Sequence, residues 1–515
     1  MLQPHPDRTA ALFILRGEDG KFVARGNLTA KFGYRFTGPE INKGDGVWAQ
    51  WKWTGSELVV ENDRFGFLPV YYCLLPTGMG VSTSIMDLLQ AGADETLNDE
   101  AVAVFLRLGY YVGNDTPFRA IHLLPPGSEL KWSENGLRLR STAPQISTSV
   151  SQLSRQQAVN EYGQRFQEVV ESMLPEASDK MCVPLSAGRD SRHILYALVR
   201  AGRLPQMVVT AMSAPPRPCT DAQIASEITA ALGLPHTVLS QSQDRFADEL
   251  EKDFLTSFCA DEHSQMVPVA KWLDREQFSV SWDGIAGDIF SCGVYNDSGM
   301  LDQFRNRQLT QLSSGLLADD GYLSAYLTPD YRERWNRELA VNRLSRELEQ
   351  YADLPNPAAP FFFYNRVRRE LALCPFGMLN RQTHILAPYL SHSIFDLLIN
   401  LPFEYFRGRL FHSEAIDQFY PELPRVEYIS SPTGFVPEKR SRIWKFAGRL
   451  GSMALSGKAS TSCIRRSFLM PRLAKAMLNR NFGTEVPVLF SRLLVMLHLE
   501  QTLAGRPYSG IHGTA

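Results

Sequence analysis

Three short apolar runs separated by two amphipathic stretches constrain this chain more than any other feature. The runs are MCVPL at 181–185, QMVVTAM at 206–212 and HTVL at 236–239. Between them Ile194, Ala197, Leu198 and Ala201 fall on one helical face, and so do Ile224, Ile228, Ala231 and Leu232. This β–loop–α–β–α–β order predicts a parallel, doubly wound sheet, because parallel neighbours need a crossover and a helix supplies it.

The first loop of that unit carries chemistry. Ser186-Ala187-Gly188-Arg189-Asp190-Ser191 turns from a strand into a helix. The first N–H groups of a helix lack intrahelical partners and sit at the positive end of its dipole, so they suit an anion. Gly188 permits close backbone approach, and Ser186 and Ser191 add hydroxyl donors for phosphate oxygens. Asp190 would repel a phosphate unless it held a cation, which implies Mg²⁺. Together these residues suit a metal-bound polyphosphate. The bland alternative is an ordinary βα loop in which Asp and Ser are favoured as caps. The other glycine-rich candidate, GSMALSGKAST at 451–461, is not a Walker loop: five residues separate its glycines, and Ala459 stands where Ser or Thr must bind the metal.

Size and composition bound the rest. At 515 residues the length allows two to four domains, and 44% apolar content supplies large cores. A net charge of −2 does not mark a nucleic-acid binder. No run approaches the ~20 apolar residues of a membrane span. The opening MLQPHPDRTAALFILRGEDGKF lacks the basic-then-apolar pattern of a signal peptide. Seven scattered cysteines with no CxxC pair fit a reduced, cytoplasmic setting.

Residues 1–145 read as β-rich. GDGVWAQWKWTGSELVVENDRFG, VYYCLLPTGMGVSTS and SELKWSENGLRLR carry alternation or turn signals, with a helix over 98–108. A Ser/Thr/Pro-rich linker occupies 141–154, and 155–515 reads as the α/β unit with a mainly helical extension beyond about 300. Segment 439–480 holds eleven Lys or Arg and no acid. It is either a solvated helical face or a docking surface for an acidic partner, substrate or phosphate.

VPLSAGRDS resembles the pyrophosphate loop SGGxDS of the N-type ATP pyrophosphatases, and more narrowly the asparagine synthetase family, which includes β-lactam synthetases and lasso-peptide cyclases. TDAQIASEITAALGLPHTVL (220–239), WDGIAGDIFSCG (282–293), APYLSHSIFDLLINLP (387–402) and TGFVP (433–437) resemble later family segments in order. NDRFGFLPVYY (62–72) and FRAIHLLPPGSEL (118–130) are similar to the class II glutaminase domain. The resemblance implies an Ntn-like αββα N-terminal domain and a C-terminal ATP pyrophosphatase domain. It implies that Ser186, Gly188, Asp190 and Ser191 bind Mg·ATP, that Asp288 is the second metal carboxylate, and that Leu185, Met212, Asp283 and Gly284 lie near adenine and ribose. The implied reaction is attack of a substrate carboxylate on the α-phosphorus, releasing pyrophosphate, then attack of an amine on the acyl carbon, releasing AMP.

The chain departs from the family at several positions. Leu2 stands where a family glutaminase has its nucleophilic Cys, and the only cysteine before the linker is Cys73. The expectation is therefore synthesis without glutamine hydrolysis. Ile285 and His384 replace the Tyr/Glu pair that deprotonates the amine in β-lactam synthetases, and Pro432 replaces a transition-state Lys. His384 is a candidate base, since its intrinsic pKa lies near neutrality, and Lys439 is a candidate replacement cation. Each is weighed against a plain structural or surface role. The leading expectation is an ATP-dependent amide ligase or cyclase acting on a small-molecule or peptide carboxylate and an amine. The alternatives are an adenylating enzyme with a different acceptor and a non-catalytic member that binds nucleotide or a partner. A homodimer is left open.

Overall fold

The computed structural model describes residues 10–36, 44–142, 146, 149–293, 297–428, 434–456 and 463–505. Leu2 and Pro432, on which two of the expected departures turn, lie outside them.

The N-terminal part builds two five-stranded antiparallel sheets. Its strands are β1 (Ala11–Arg16), β2 (Phe22–Gly26), β3 (Thr29–Arg35), β4 (Gly46–Trp53), β5 (Leu58–Asn62), β6 (Tyr71–Leu75), β7 (Gly78–Ser82), β8 (His122–Leu123), β9 (Ser128–Ser133) and β10 (Gly136–Ser141). They order as β2-β1-β7-β6-β8 and β10-β9-β5-β4-β3. Alternation drives the pairing: Val47, Ala49, Trp51 and Trp53 of β4 turn inward while Lys52 stays in solvent. Phe22 of the first sheet packs edge-on against Trp53 and Trp132 of the second. Helix α1 (Ile85–Gln90) lies against β6 and β7. Helix α2 (Asp99–Leu108) is capped by Asn98, whose side chain accepts from the Ala101 N–H, and ends at Gly109 with φ +89°.

The C-terminal part is the expected parallel sheet, with helices and a long helical extension. Its strands are β11 (Met181–Pro184), β12 (Met207–Ala211), β13 (His236–Leu239), β14 (Val280–Trp282) and β15 (His384–Leu386), ordered β13-β12-β11-β14-β15 and all parallel. Helix α3 (Arg155–Ser172) enters through a capping box of Ser154 and Gln157. Helices α4 (Asp190–Arg200) and α5 (Thr220–Leu232) follow β11 and β12; α6 (Arg245–Leu255), α7 (Val267–Glu276) and α8 (Gly287–Ser291) follow. The chain winds outward from β11 through β12 to β13, then returns to place β14 on the other side of β11. That reversal opens a crevice beyond the carboxyl ends of β11 and β14, where ligands of such sheets bind. Among the described residues no single helix is long and apolar enough to cross a membrane.

Charged side chains join the two parts, and Arg368, Arg369 and Asp45 among them are buried. Arg368 donates to the carbonyls of Gly66 and Leu124 at 3.0 and 2.8 Å, and Arg369 to those of Gly113 and Asp115 at 2.9 and 2.6 Å. Arg64 forks onto both oxygens of Asp396 at 3.0 and 2.7 Å. Asp45 accepts from the His392 N–H and the Ser391 hydroxyl, capping the helix His392–Ile399 from outside.

Asp63 organises the motif NDRFG. Its carboxylate accepts from the N–H groups of Phe65, Gly66 and Trp48 at 2.8, 3.0 and 3.0 Å. Burial nevertheless outweighs those bonds and pushes its pKa from 3.8 up to about 6. The folded chain then binds this proton more readily than the unfolded chain. The contribution is present below the unfolded value and is lost as pH rises through about 6. Relative to Asp63→Asn, the wild type should gain about 2 kcal/mol of stability between pH 7.5 and 4.5, read by denaturant titration at each pH. An unchanged difference would mean that Asp63 titrates normally.

Candidate functional site

A cavity of about 770 Å³ opens at the carboxyl ends of β11 and β14. The structure places Leu185, Ser186, Asp190, Ser191, Met212, Asp283 and Gly284 in its wall. Gly188 lies in the same loop, and Asp288 is the second residue of α8; neither lines the cavity.

The 185–191 loop is held by its own side chains and by two from neighbouring elements. Ser191 Oγ accepts from the Ser186 N–H at 3.1 Å, and the two hydroxyls lie 3.2 Å apart. Ser186 Oγ accepts from the Gly188 N–H at 3.2 Å. Asp221, at the start of α5, accepts from the Ala187 N–H at 2.8 Å. Thr210 of β12 donates to the Leu185 carbonyl at 2.8 Å. Ala187 and Gly188 both keep ordinary negative φ, so Ala in place of the family's Gly is accommodated. Arg192 is almost fully buried behind the loop, stacked 4.1 Å from the Tyr428 ring and donating to the carbonyl of Glu427.

The 283–288 loop closes over Asp190. Asp283 Oδ1 accepts from the Ile285 N–H at 2.8 Å, and burial lifts its pKa to about 6. Ala286 sits at φ +69°, a left-handed conformation that costs a non-glycine residue roughly 1 kcal/mol or more. Gly284 and Gly287 are pressed against Asp190. A Cβ on Gly284 would lie 2.8 Å from Asp190 Cβ, and one on Gly287 only 2.5 Å from its Cγ. Burial and the facing Asp288 push the Asp190 carboxyl well above the usual carboxylate range.

This arrangement fits a hard cation. Asp190 Oδ1 is buried and has only His412 Nδ1 beside it, at 3.3 Å and outside hydrogen-bond geometry, while a second carboxylate stands close enough to disfavour its charge. A divalent ion bound by oxygens would reverse both penalties. Asp190 and Asp288 are the residues that would hold it.

Two candidates from the sequence are not brought to the cavity. His384 opens β15 and pairs with Val280 at the entry end of β14, three residues or roughly 10 Å upstream of Asp283. In a parallel sheet the entry and exit ends of the strands lie at opposite edges, so the structure does not bring His384 to this cavity. Lys439 is exposed just before the helix Arg440–Ser456 and does not line the cavity. Much of the basic run is satisfied within the chain. Lys445 and Arg449 pair with Asp244, Arg442 with Glu438, and Arg480 donates to the Glu438 carbonyl. Sequence reasoning missed Asp221, whose only signal was an acid in the first turn of α5. It also missed the far cavity wall, formed by Leu106 of α2, Asp261, Tyr322 and Arg492, which no local pattern unites.

Residues 34–142 match the family model of a glutamine amidotransferase domain, so the N-terminal part is an amidotransferase-type domain. No curated protein matches the chain. Among solved structures, a glutamine phosphoribosylpyrophosphate amidotransferase from B. subtilis, complexed with ADP and GMP, is similar at 11% identity. That match covers 38% of this chain and 48% of that one, with a TM-score of 0.15. A structure described as the allosteric regulatory enzyme of purine biosynthesis matches at 11% identity over 38% and 47%, also with a TM-score of 0.15. The chain thus spans about half the length of these solved relatives.

Gly287→Ala tests the clamp on Asp190. The added methyl must displace the carboxylate, and overpacking of this kind costs about 1–3 kcal/mol. The variant should lose most of any magnesium-dependent nucleotide stabilisation in a thermal-shift titration. Full retention would mean that Asp190 can move without consequence.

Proposed function

We propose that this chain is an ATP-dependent, AMP-forming amide synthetase of the asparagine synthetase type that works without glutamine hydrolysis. The observation that carries the reading is the convergence of Asp190 and the 283–288 loop beside one cavity at the reversal point of a parallel sheet. The first N–H groups of α4 and the hydroxyls of Ser186 and Ser191 would bind phosphate oxygens. Asp190 and Asp288 would hold magnesium, whose charge offsets that building on departing pyrophosphate. Leu185 and Met212 supply apolar surface for the base. The same cavity continues to Leu106, Tyr322, Leu323, Tyr326 and Val488, which leaves room for the acyl substrate.

The amidotransferase-type domain keeps a structural part in this reading. Cys73 lies in β6 with no exposed surface, and burial pushes its thiol up to about 12. A thiol in that state is neither accessible nor ionised at neutral pH, so it is no nucleophile toward glutamine. The amine would come from the substrate itself, from a second substrate, or as free ammonia.

Saturating Mg·ATP, at about 100 times its dissociation constant, should stabilise the wild type by about 2.7 kcal/mol. Asp190→Ala and Asp288→Asn should each abolish the magnesium-dependent shift. A folded wild type with no shift would sink the reading. Where a carboxylate substrate supports AMP and pyrophosphate release, Cys73→Ser should leave that release unchanged. A glutamine-dependent activity lost in Cys73→Ser would contradict the structural role of the N-terminal domain.

A further inference from the structure

A buried polar cluster lies directly behind Asp190 and has no part in the chemistry above. His412, in the helix Phe411–Phe419, has no exposed surface. Its Nδ1 lies 2.9 Å from Ser291 Oγ and 3.3 Å from Asp190 Oδ1. Its Nε2 lies 3.1 Å from His193 Nδ1 and 3.3 Å from the hydroxyls of Tyr162 and Tyr389. Ser291 donates its own hydrogen to the Gly287 carbonyl, so its oxygen is left to accept from Nδ1–H. Tyr389 donates to the Asp190 carbonyl at 3.2 Å. His193 Nε2 has no partner, which agrees with a neutral ring whose single proton is on Nδ1 and points at His412.

The placement is specific. His193 stands three residues after Asp190 on α4, and Ser291 three residues after Asp288 on α8. Those are positions on the same helical face, one turn further in. His412 therefore bonds, through its two nitrogens, to the turn behind each carboxylate. Its Nδ1–H also faces the buried oxygen of Asp190, whose side chain keeps 24% of its surface exposed on the cavity side. We infer that His412 is a positioning residue that fixes the spacing and orientation of the Asp190–Asp288 pair for a divalent cation.

This inference rests on the Mg·ATP reading of the site, and the test separates the two. The probe is ATP with magnesium chloride, and the readout is the magnesium concentration at half-maximal thermal shift, set beside the ligand-free Tm. His412→Phe keeps the ring volume and removes both nitrogens. His412→Asn packs less well but restores a donor near the Nδ1 position. The expected result is a crossed ranking. Phe should raise half-saturating magnesium about 10–100-fold, as loss of an outer partner does at metal sites, while Asn stays within about threefold despite a lower Tm. A merely structural role would make magnesium affinity follow Tm, and that result, or no change in either variant, overturns the inference. If the Phe variant does not fold, Ser291→Ala cuts the same bracket at its other end. It should raise half-saturating magnesium severalfold, and an unchanged value overturns the inference. A wild type with no magnesium-dependent shift overturns this inference and the proposed function together; a wild-type shift without the crossed ranking overturns this one alone.

Discussion

Two carboxylates, Asp190 and Asp288, in the first turns of the helices that follow neighbouring strands are the constraint on which the rest of this site depends. Like charges at close range in a partly buried setting repel, and each pays for lost hydration. The fold nevertheless commits several devices to keeping them there. β11 and β14 are adjacent although roughly a hundred residues separate them in the chain, and only the reversal of strand order makes them neighbours. Gly284 and Gly287 give up side chains so that Asp190 can fit between them, and Ala286 accepts a left-handed backbone. A chain selected for stability alone gains nothing from such an arrangement, which is why strain of this kind points to a ligand.

The N-terminal domain bears on the site through packing. Asp261 is held at the cavity wall by Arg492 at 2.8 Å, and its N–H donates to the carbonyl of Gly109 at the end of α2. Gly109 adopts φ +89°, and a side chain there would strike Asp261. Leu106 of the same helix reaches the cavity directly. Arg368 and Arg369 are buried with their guanidinium groups on carbonyls of the other domain, so separating the domains would expose apolar surface and leave charged donors unpaired. An amidotransferase-type domain whose Cys73 thiol is buried can in this way still set the shape of the cavity in the C-terminal part.

How much of this was legible in sequence follows from range. The strands β11, β12 and β13, helix α2 and the antiparallel pairs of the N-terminal domain are written in local periodicity, and alternation around Trp51 or the helical face of Ile194 and Leu198 needs no tertiary information. The 185–191 loop was legible because a strand, a small-residue turn and a helix start are contiguous. His384 and Lys439 were misplaced for the opposite reason. Matching a motif fixes a position along the chain, but a strand only three residues long has two ends, and the motif does not say which one a histidine occupies. His412 carries no local signal. Its partners at 162, 193, 291 and 389 come from four separate segments, and only the folded chain assembles them.

Under the proposed function, the groups that would handle the amine belong to the rest of the cavity wall. With His384 at the far end of its strand and Lys439 in solvent, the ionisable groups facing the cavity away from the phosphate loop include Asp261, Glu262, Glu249 and Arg492. Asp261, Glu262 and Glu370 bring carboxylate oxygens within 4.8 Å of one another. Arg366 and Arg492 contact members of that group, so its charge is partly balanced inside the chain. Glu370 is driven well above the usual carboxylate range by burial and by those acidic neighbours. Asp261 and Glu262 are the members of that group on the cavity wall, and an ammonium brought beside them would be held by charge. The acidic wall and the 185–191 loop share one cavity, so in the proposed reaction an amine and an acyl group bound in it would meet without a tunnel from the other domain.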